Sequence, residues 1–273
     1  MGELFGIAIR MNSWRPTPLL YVSAAAHAGA AAWALSRPQA WPWALALVVA
    51  NHAVLAGAGL WPRSTLLGSN WTRLPGEGGK AVAITIDDGP DPQVTPQVLS
   101  LLDKTGARAT FFCVGERVLE HAELAREIVK RGHTIENHSQ RHRHNFSLLG
   151  YSGMRQEIVR AQESIESVTG ERPRFFRAPA GLRNPFLDPV LTHLGLQLAS
   201  WTRRGFDTVN SDAATVYRRL AEPLEAGDIL LLHDGNAARD RGGAPVVLAV
   251  LERLLETLEQ RSLRAVTLRS ALA

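Results

Sequence analysis

Hydrophobic and polar positions divide the chain into two unlike parts. Between Arg15 and Arg37, and again between Arg37 and Arg63, no Asp, Glu, Lys or Arg occurs. Each gap is long enough to cross a bilayer core, which takes about 20 residues. The first, around 19–35, is mostly alanine; the second, 41–60, is richer in Leu, Val and Trp. Trp33, Trp41, Trp43 and Trp61 fall near the ends, where interfacial aromatics belong. The pattern predicts an N-terminal membrane-associated segment, 1–73, with transmembrane helices at about 17–36 and 41–60 joined through Ser36-Arg37-Pro38-Gln39. A pair of buried helices in a soluble protein would show a similar pattern. A cleaved signal peptide fits less well, because a second apolar run follows the first. His27 and His52 lie within these runs and are read as helix-packing residues. Arg10 and Arg15 precede the first run, Arg63 and Arg73 follow the second, and only Arg37 lies between. The positive-inside rule therefore predicts a multi-pass protein of the inner (cytoplasmic) membrane, with both tails and the C-terminal domain on the cytoplasmic side.

After a Gly- and Pro-rich linker, 74–80, the pattern changes. Short apolar runs recur at 82–86, 109–114, 133–137, 174–177, 196–201, 228–232 and 265–268. Stretches of helical spacing lie between them, at 123–130, 153–168 and 246–258. In the last of these Leu248, Leu251, Leu255 and Leu258 form one apolar face. Seven strands alternating with helices predict an α/β domain over 81–273 built on a largely parallel sheet, open or closed into a barrel. In either case function belongs at the C-terminal ends of the strands.

Composition refines this picture only slightly. The 273 residues, 45% hydrophobic and 21% charged, suit one globular domain with an addition. The net charge of +4 is scattered with no Lys/Arg block, which argues against a nucleic-acid partner. The single cysteine, Cys113, lies in an apolar run and reads as a core residue; no intrachain disulfide is possible.

The unusual residues follow the predicted strands. After the first comes Thr85-Ile86-Asp87-Asp88-Gly89-Pro90, two adjacent carboxylates at a turn, where like charges repel unless a cation neutralises one. After the third comes His138-Ser139-Gln140-Arg141-His142. Spacing of four on a helical turn would set both imidazoles on one side, and two His with a distant carboxylate such as Asp88 make a site for zinc or a similar ion. His144 is read as a surface or substrate-side residue. After the fourth strand comes Arg177-Ala178-Pro179-Ala180-Gly181, an Arg placed to grip a carboxylate bidentately. After the sixth comes Leu230-Leu231-Leu232-His233-Asp234, a His suited to proton transfer near neutral pH.

In this order the four motifs resemble the polysaccharide deacetylase family (the NodB homology domain, carbohydrate esterase family 4), over roughly 80–270. The resemblance implies a distorted (β/α)7 barrel preceded by the hydrophobic helical hairpin. It implies Asp87 as catalytic base, Asp88, His138 and His142 as metal ligands, Arg177 orienting the base and His233 as catalytic acid. Asp207 matches the Asp that steadies the acid, although Thr208 stands where the family has Trp. Arg203 and Arg204 beside it suggest a phosphate-bearing or otherwise acidic substrate. The implied activity is metal-dependent removal of N-acetyl groups, with Zn2+ (Co2+ or another divalent ion also suits), from an N-acetylated glycan or lipid-linked sugar. Rival readings are a deformylase, an O-acetyl esterase, or a membrane-anchored glycan-binding protein without catalysis.

Overall fold

The computed structural model describes residues 13–76 and 79–272. Arg10 of the charge count and Glu77 and Gly78 of the linker lie outside them. Helices α1 (Pro18–Ser36) and α2 (Trp41–Leu60) form a hairpin through a 3-10 turn, Pro38–Ala40. Each starts with proline in its first turn, where the missing N–H would have had no intrahelical partner. At 19 and 20 residues they are close to the length of a bilayer core. Their outer faces expose Tyr21, Val22, Leu35, Leu45, Val49 and Val54. Between them Asn51 Nδ2 donates to Ser23 Oγ at 2.8 Å, and the His27 and His52 rings meet edge to face at 5.1 Å.

The rest of the described chain winds around a parallel sheet. Its strands are β1 (Ala81–Asp87), β2 (Thr110–Cys113), β3 (Thr134–Asn137), β4 (Phe175–Phe176), β5 (Gln197–Leu198), β6 (Arg203–Arg204), β7 (Ile229–His233) and β8 (Arg264–Val266). The order is β5-β4-β3-β2-β1-β7-β6, with β8 beside the start of β1. This is the distorted (β/α)7 barrel. Helices α3 (Thr95–Thr105), α4 (Gly115–Glu120), α5 (Ala122–Lys130), α6 (Tyr151–Thr169), α7 (Leu187–Leu194), α8 (Ala213–Ala221) and α9 (Val246–Gln260) complete the alternation.

β1 is central and all seven of its residues are buried. Strand alternation sorts them. Val82, Ile84 and Ile86 enter the core shared with α3, α8 and α9, while Ala81 and Ala83 join Phe112, Phe175, Trp201 and Leu231 in the barrel interior. Thr85 and Asp87 have the interior parity. Asp87 is in register with Phe112 of β2 and His233 of β7, which sets two titratable side chains side by side on adjacent strands.

Two features depart from the sequence pattern. The apolar runs at 174–177 and 196–201 pair over only two residues each, because the chain turns there into rim loops. β6 carries no apolar signature, being Arg203 and Arg204. β5 and β6 do not pair with each other, and the stretch just ahead of the expected linker lies between them. Trp71 N–H donates to the Leu198 carbonyl and the Trp71 carbonyl accepts from Ser200 N–H, both at 2.9 Å. Thr202 Oγ1 donates to the Thr72 carbonyl, and Arg73 bridges Asp228. These bonds satisfy strand edges that would otherwise be open.

Candidate active site

The site is built at the C-terminal ends of β1, β3, β4 and β7 and in the loop after β6. Asp87 closes β1, and Asp88 turns away from it with φ +74°. That left-handed backbone is costly for Asp. It is held from two sides: Arg117 Nη1 donates to the Asp88 carbonyl at 2.6 Å, and Asn236 Nδ2 donates to Asp88 Oδ2 at 3.1 Å. Gly89 must lack a side chain, because a Cβ there would run into the buried Asp234 carboxyl. Asp234 in turn accepts from Thr95 Oγ1 at 2.5 Å. Burial, the largest influence, pushes the Asp234 carboxyl up to about 7. The turn thus sends two adjacent carboxylates into separate surroundings, Asp87 toward Arg177 and Asp88 toward two imidazoles.

Asp88 Oδ1 lies 3.3 Å from Nε2 of His138 and 3.3 Å from Nε2 of His142. His138 Nδ1 donates to the Arg177 carbonyl at 2.8 Å, so in the neutral ring Nε2 presents a lone pair toward the carboxylate. Asp88 Oδ1 is buried and accepts no hydrogen bond. Two acceptors facing a third over buried surface call for a cation. The one atom from each residue that can ligate lies within 4.8 Å of the others. A tetrahedral ion with bonds of about 2.1 Å holds its ligands about 3.4 Å apart, close to both separations of Asp88 Oδ1. The donor set, two imidazoles and a carboxylate, fits zinc or a similar divalent ion. Burial acts to raise the Asp88 carboxyl; His138, then His233 and His142, outweigh it and hold the carboxyl below the usual range only while those rings carry protons, so with neutral rings a bound cation has to supply the counter-charge. Burial, with His138 nearby, pushes His142 down to about 4, leaving a neutral imidazole at physiological pH.

The two histidines do not share a helical turn. They stand on a loop after β3 whose bends are left-handed at Ser139 (φ +64°) and His142 (φ +48°). Ser139 Oγ accepts the His142 N–H at 3.0 Å, and Asn137 Oδ1 accepts the Ser139 N–H at 2.9 Å. These side chains take the place of helix hydrogen bonds. His144 is exposed on the same loop, its ring 6.5 Å from that of His142 and outside the ligand group.

Arg177, just past β4, is fully buried and reaches across the barrel interior. Nη1 donates to Asp87 Oδ1 at 2.6 Å and to Thr85 Oγ1 at 2.7 Å. Nε and Nη2 donate to the carbonyls of Ala199 at 3.1 Å and Ser200 at 2.7 Å. The expected bidentate grip is absent, because three other acceptors take up the fork. The guanidinium also lies 4.1 Å over the Phe112 ring. Burial pushes the Arg177 group below its ordinary value while the Asp87 charge opposes it.

Asp207, after β6, accepts twice from His233: from Nδ1 at 2.8 Å and from the backbone N–H at 2.7 Å. Burial acts to lower the His233 pKa. The Asp207 hydrogen bond and charge, with Asp87 and Asp88, outweigh it and raise the value. Nε2 of the ring stays available to the site.

The paired arginines do not both add charge to the groove. Strand alternation sends them to opposite faces. Arg203 Nε is committed to buried Asp228 at 2.7 Å and Nη1 to the Glu222 carbonyl at 3.3 Å. Arg204 lies against the Trp201 and Phe206 rings, at 5.5 and 4.8 Å. The residues not singled out from the sequence, Arg117, Asn236 and Thr95, act through contacts remote along the chain. Asp234 stood beside His233 but carried no sign of its burial.

The fold and site place this protein among parallel α/β barrels that carry, on one rim, an Asp-His-His group spaced for a cation, a second carboxylate and an Asp-supported His. The family model described as polysaccharide deacetylase matches residues 75–199. A peptidoglycan-N-acetylglucosamine deacetylase of Bacillus cereus is 35% identical over 190 residues, 69% of this chain and 86% of its own length. A chitooligosaccharide deacetylase of Azorhizobium caulinodans is 31% identical, over 66% of this chain and 89% of its own. The crystal structure of a family 4 carbohydrate esterase from Streptomyces lividans superimposes with a TM-score of 0.61 at 31% identity, covering 68% of this chain and 91% of that one. The chain belongs to the polysaccharide deacetylase family, whose members include peptidoglycan and chitooligosaccharide N-deacetylases.

Proposed function

We propose that the protein is a metal-dependent N-deacetylase that releases acetate from an amino-sugar-containing glycan or glycolipid. The observation that carries this reading is the division of labour at Asp87-Asp88. One carboxylate faces two imidazoles, and the other faces Arg177 and stays clear of them by a longer distance, 3.9 Å to His138. Asp88, His138 and His142 would hold the ion, most simply Zn2+, with Co2+ an alternative. When bound, it supplies a Lewis acid for the acetyl carbonyl and lowers the pKa of water.

The residues then perform an amide hydrolysis. Asp87 accepts a proton from the attacking water as the new C–O bond forms. Arg177 orients Asp87 and supplies its counter-charge. His233, protonated on Nε2 and held by Asp207, gives its proton to the amide nitrogen as the C–N bond breaks. The products are acetate and a free amine. An acid raised in pKa by Asp207 suits a leaving nitrogen that is poor until protonated.

The reading extends to the N-terminus. The helical stretches Pro18–Ser36 and Pro38–Leu60 are long and apolar enough to cross a membrane, and 11% and 17% of their apolar windows are buried, which leaves their faces open to lipid. The segment 1–73 would be a two-span anchor and 81–273 the catalytic domain, on the cytoplasmic side by the positive-inside count. A C-terminal reporter active only outside the cytoplasm should stay silent; activity would reverse the assignment. For the chemistry, acetate release is measured on chitooligosaccharides, peptidoglycan and lipid-linked N-acetyl amino sugars, with and without chelator. Release from at least one, lost on chelation and restored by Zn2+ or Co2+, is expected. Release of formate instead, or chelator-resistant activity, would overturn the proposal.

A further inference from the structure

We infer that the docked helical hairpin holds the active-site rim against the bilayer, and that the substrate is an N-acetylated amino sugar anchored in that bilayer by its own lipid. This rests on the deacetylase and membrane readings above. The end of α2 does not lead into a free tether. The Gly59 carbonyl accepts from the Arg183 N–H at 3.1 Å, and a Cβ on Gly59 would strike the Arg183 carbonyl. The Arg183 guanidinium donates to the Ser64 carbonyl. Ser200 Oγ donates to the Pro62 carbonyl at 2.6 Å, and Arg63 Nη1 to the Thr202 carbonyl at 3.2 Å. The start of the hairpin is tied to the same region. Trp14 Nε1 donates to Asp188 Oδ2 at 2.7 Å, in the first turn of α7, and Thr17 Oγ1 to the Leu66 carbonyl at 2.8 Å.

These partners belong to the rim of the site. Ser200 is the residue whose carbonyl holds Arg177, and Arg177 holds Asp87. Two hydrogen-bonded residues therefore separate the end of a membrane helix from the proposed base. The loop after β3 joins the same surface, because Asn184 Nδ2 donates to the Ser147 and Leu149 carbonyls. Next to these ties, Leu148 is 82% exposed, Leu66 54% and Phe186 49%. Single exposed apolar residues are ordinary. Leu66 follows the end of α2, Phe186 follows Arg183, which is bonded to that end, and Leu148 is on the loop that Asn184 holds; Trp61 marks the helix end as interfacial. A shallow groove of about 380 Å3 lies at the end of α2 and in the turn after it, lined by Gly57, Ala58, Trp61, Arg63, Ser64, Thr65 and Leu66. Its Ala58, Trp61 and Leu66 surfaces suit a lipid chain, and Arg63, Ser64 and Thr65 beside them suit an anionic head. A substrate confined to the bilayer reaches such a rim by lateral diffusion, whereas a rigid polymer would have to enter between domain and membrane.

The test uses the full chain in lipid nanodiscs. Variants with one added cysteine, Leu148→Cys, Phe186→Cys, Val54→Cys and Gln260→Cys, carry an environment-sensitive fluorophore; native Cys113 is buried and stays unlabelled. A lipid-borne nitroxide then quenches probes that reach the interface, about 5–10 Å deep. Quenching at 148, 186 and 54 with none at 260, on the far end of α9, is the expected pattern. An unquenched probe at 54 overturns the membrane reading and this inference with it. A quenched 54 with 148 and 186 no different from 260 overturns this inference alone. In parallel, Leu148→Glu combined with Phe186→Glu should slow acetate release from a vesicle-presented lipid-linked N-acetyl amino sugar about tenfold or more. The rate on a soluble chitooligosaccharide should not change. Equal effects on both substrates would refute the inference, and release from neither would refute the deacetylase reading beneath it.

Discussion

Replacing Asp207 by asparagine tests the support that it would give to His233, the proposed acid. The side chain keeps its shape, but the carboxylate's two acceptors become one acceptor and one donor. His233 offers two donors to this residue, Nδ1–H at 2.8 Å and the backbone N–H at 2.7 Å. One of them then meets an amide N–H, which costs about 1–3 kcal/mol for a buried unsatisfied group. The larger consequence is electrostatic. Burial already acts to lower the His233 pKa, and Asp207 is first among the groups that outweigh it. Losing an adjacent opposite charge lowers such a pKa by about one to three pH units, equivalent to about 1.4–4 kcal/mol. The sign follows directly. The acid works while protonated, so a raised pKa keeps it competent to higher pH, and activity is lost as pH rises through that value. In Asp207→Asn the basic limb of the rate profile moves down. At any pH above both limbs the rate falls about 10- to 1,000-fold, while near the acid side the two enzymes converge. Acetate release followed from pH 5 to 9, with thermal melts to confirm a folded protein, provides the measurement. A folded variant whose basic limb stays at the wild-type position would refute the assignment of His233 and Asp207.

Other outcomes follow from the same geometry. Asp87→Asn should lower kcat about 10²- to 10⁴-fold and leave Zn2+ affinity by calorimetry nearly unchanged, since Asp88 and not Asp87 faces both imidazoles. His138→Ala or Asp88→Ala should weaken Zn2+ binding by more than the 10- to 100-fold that outer-sphere partners typically contribute, measured by competition with a chelating dye. Arg177→Ala should destabilise the fold by about 3–5 kcal/mol, because it leaves the Asp87 charge buried and unpaired; denaturant melts report it. Arg177→Lys should not restore the loss, because one ammonium cannot reach four acceptors spread over a planar fork.

The apolar helical hairpin and the central strand were legible along the chain for a simple reason. Long uncharged runs and buried parallel strands both leave continuous apolar stretches. The chemistry-bearing residues were legible because their types are unusual at strand ends. Their geometry was not. His138 and His142 look like a helical pair at spacing four, yet Ser139 and Asn137 take up the backbone bonds and the loop bends left-handed twice. Arg203 reads as charge beside a groove, but β6 turns it onto Asp228. Arg117 and Asn236, which hold Asp88 in its strained turn, come from 29 and 148 residues away, and nothing local marks them.

By itself the sequence determined which groups are present, their order, and the period of two that sends Thr85 and Asp87 into the barrel interior. Local chemistry is enough for that, because residue type and strand alternation need no distant partner. Only the tertiary structure decided that Asp87 stands in register with His233 and pairs with Arg177, that Asp88 turns instead toward two imidazoles, and that the end of the hairpin docks on the rim. Those outcomes depend on strand order and on buried bonds between remote segments. A buried polar group takes whichever partner the fold brings within about 3 Å.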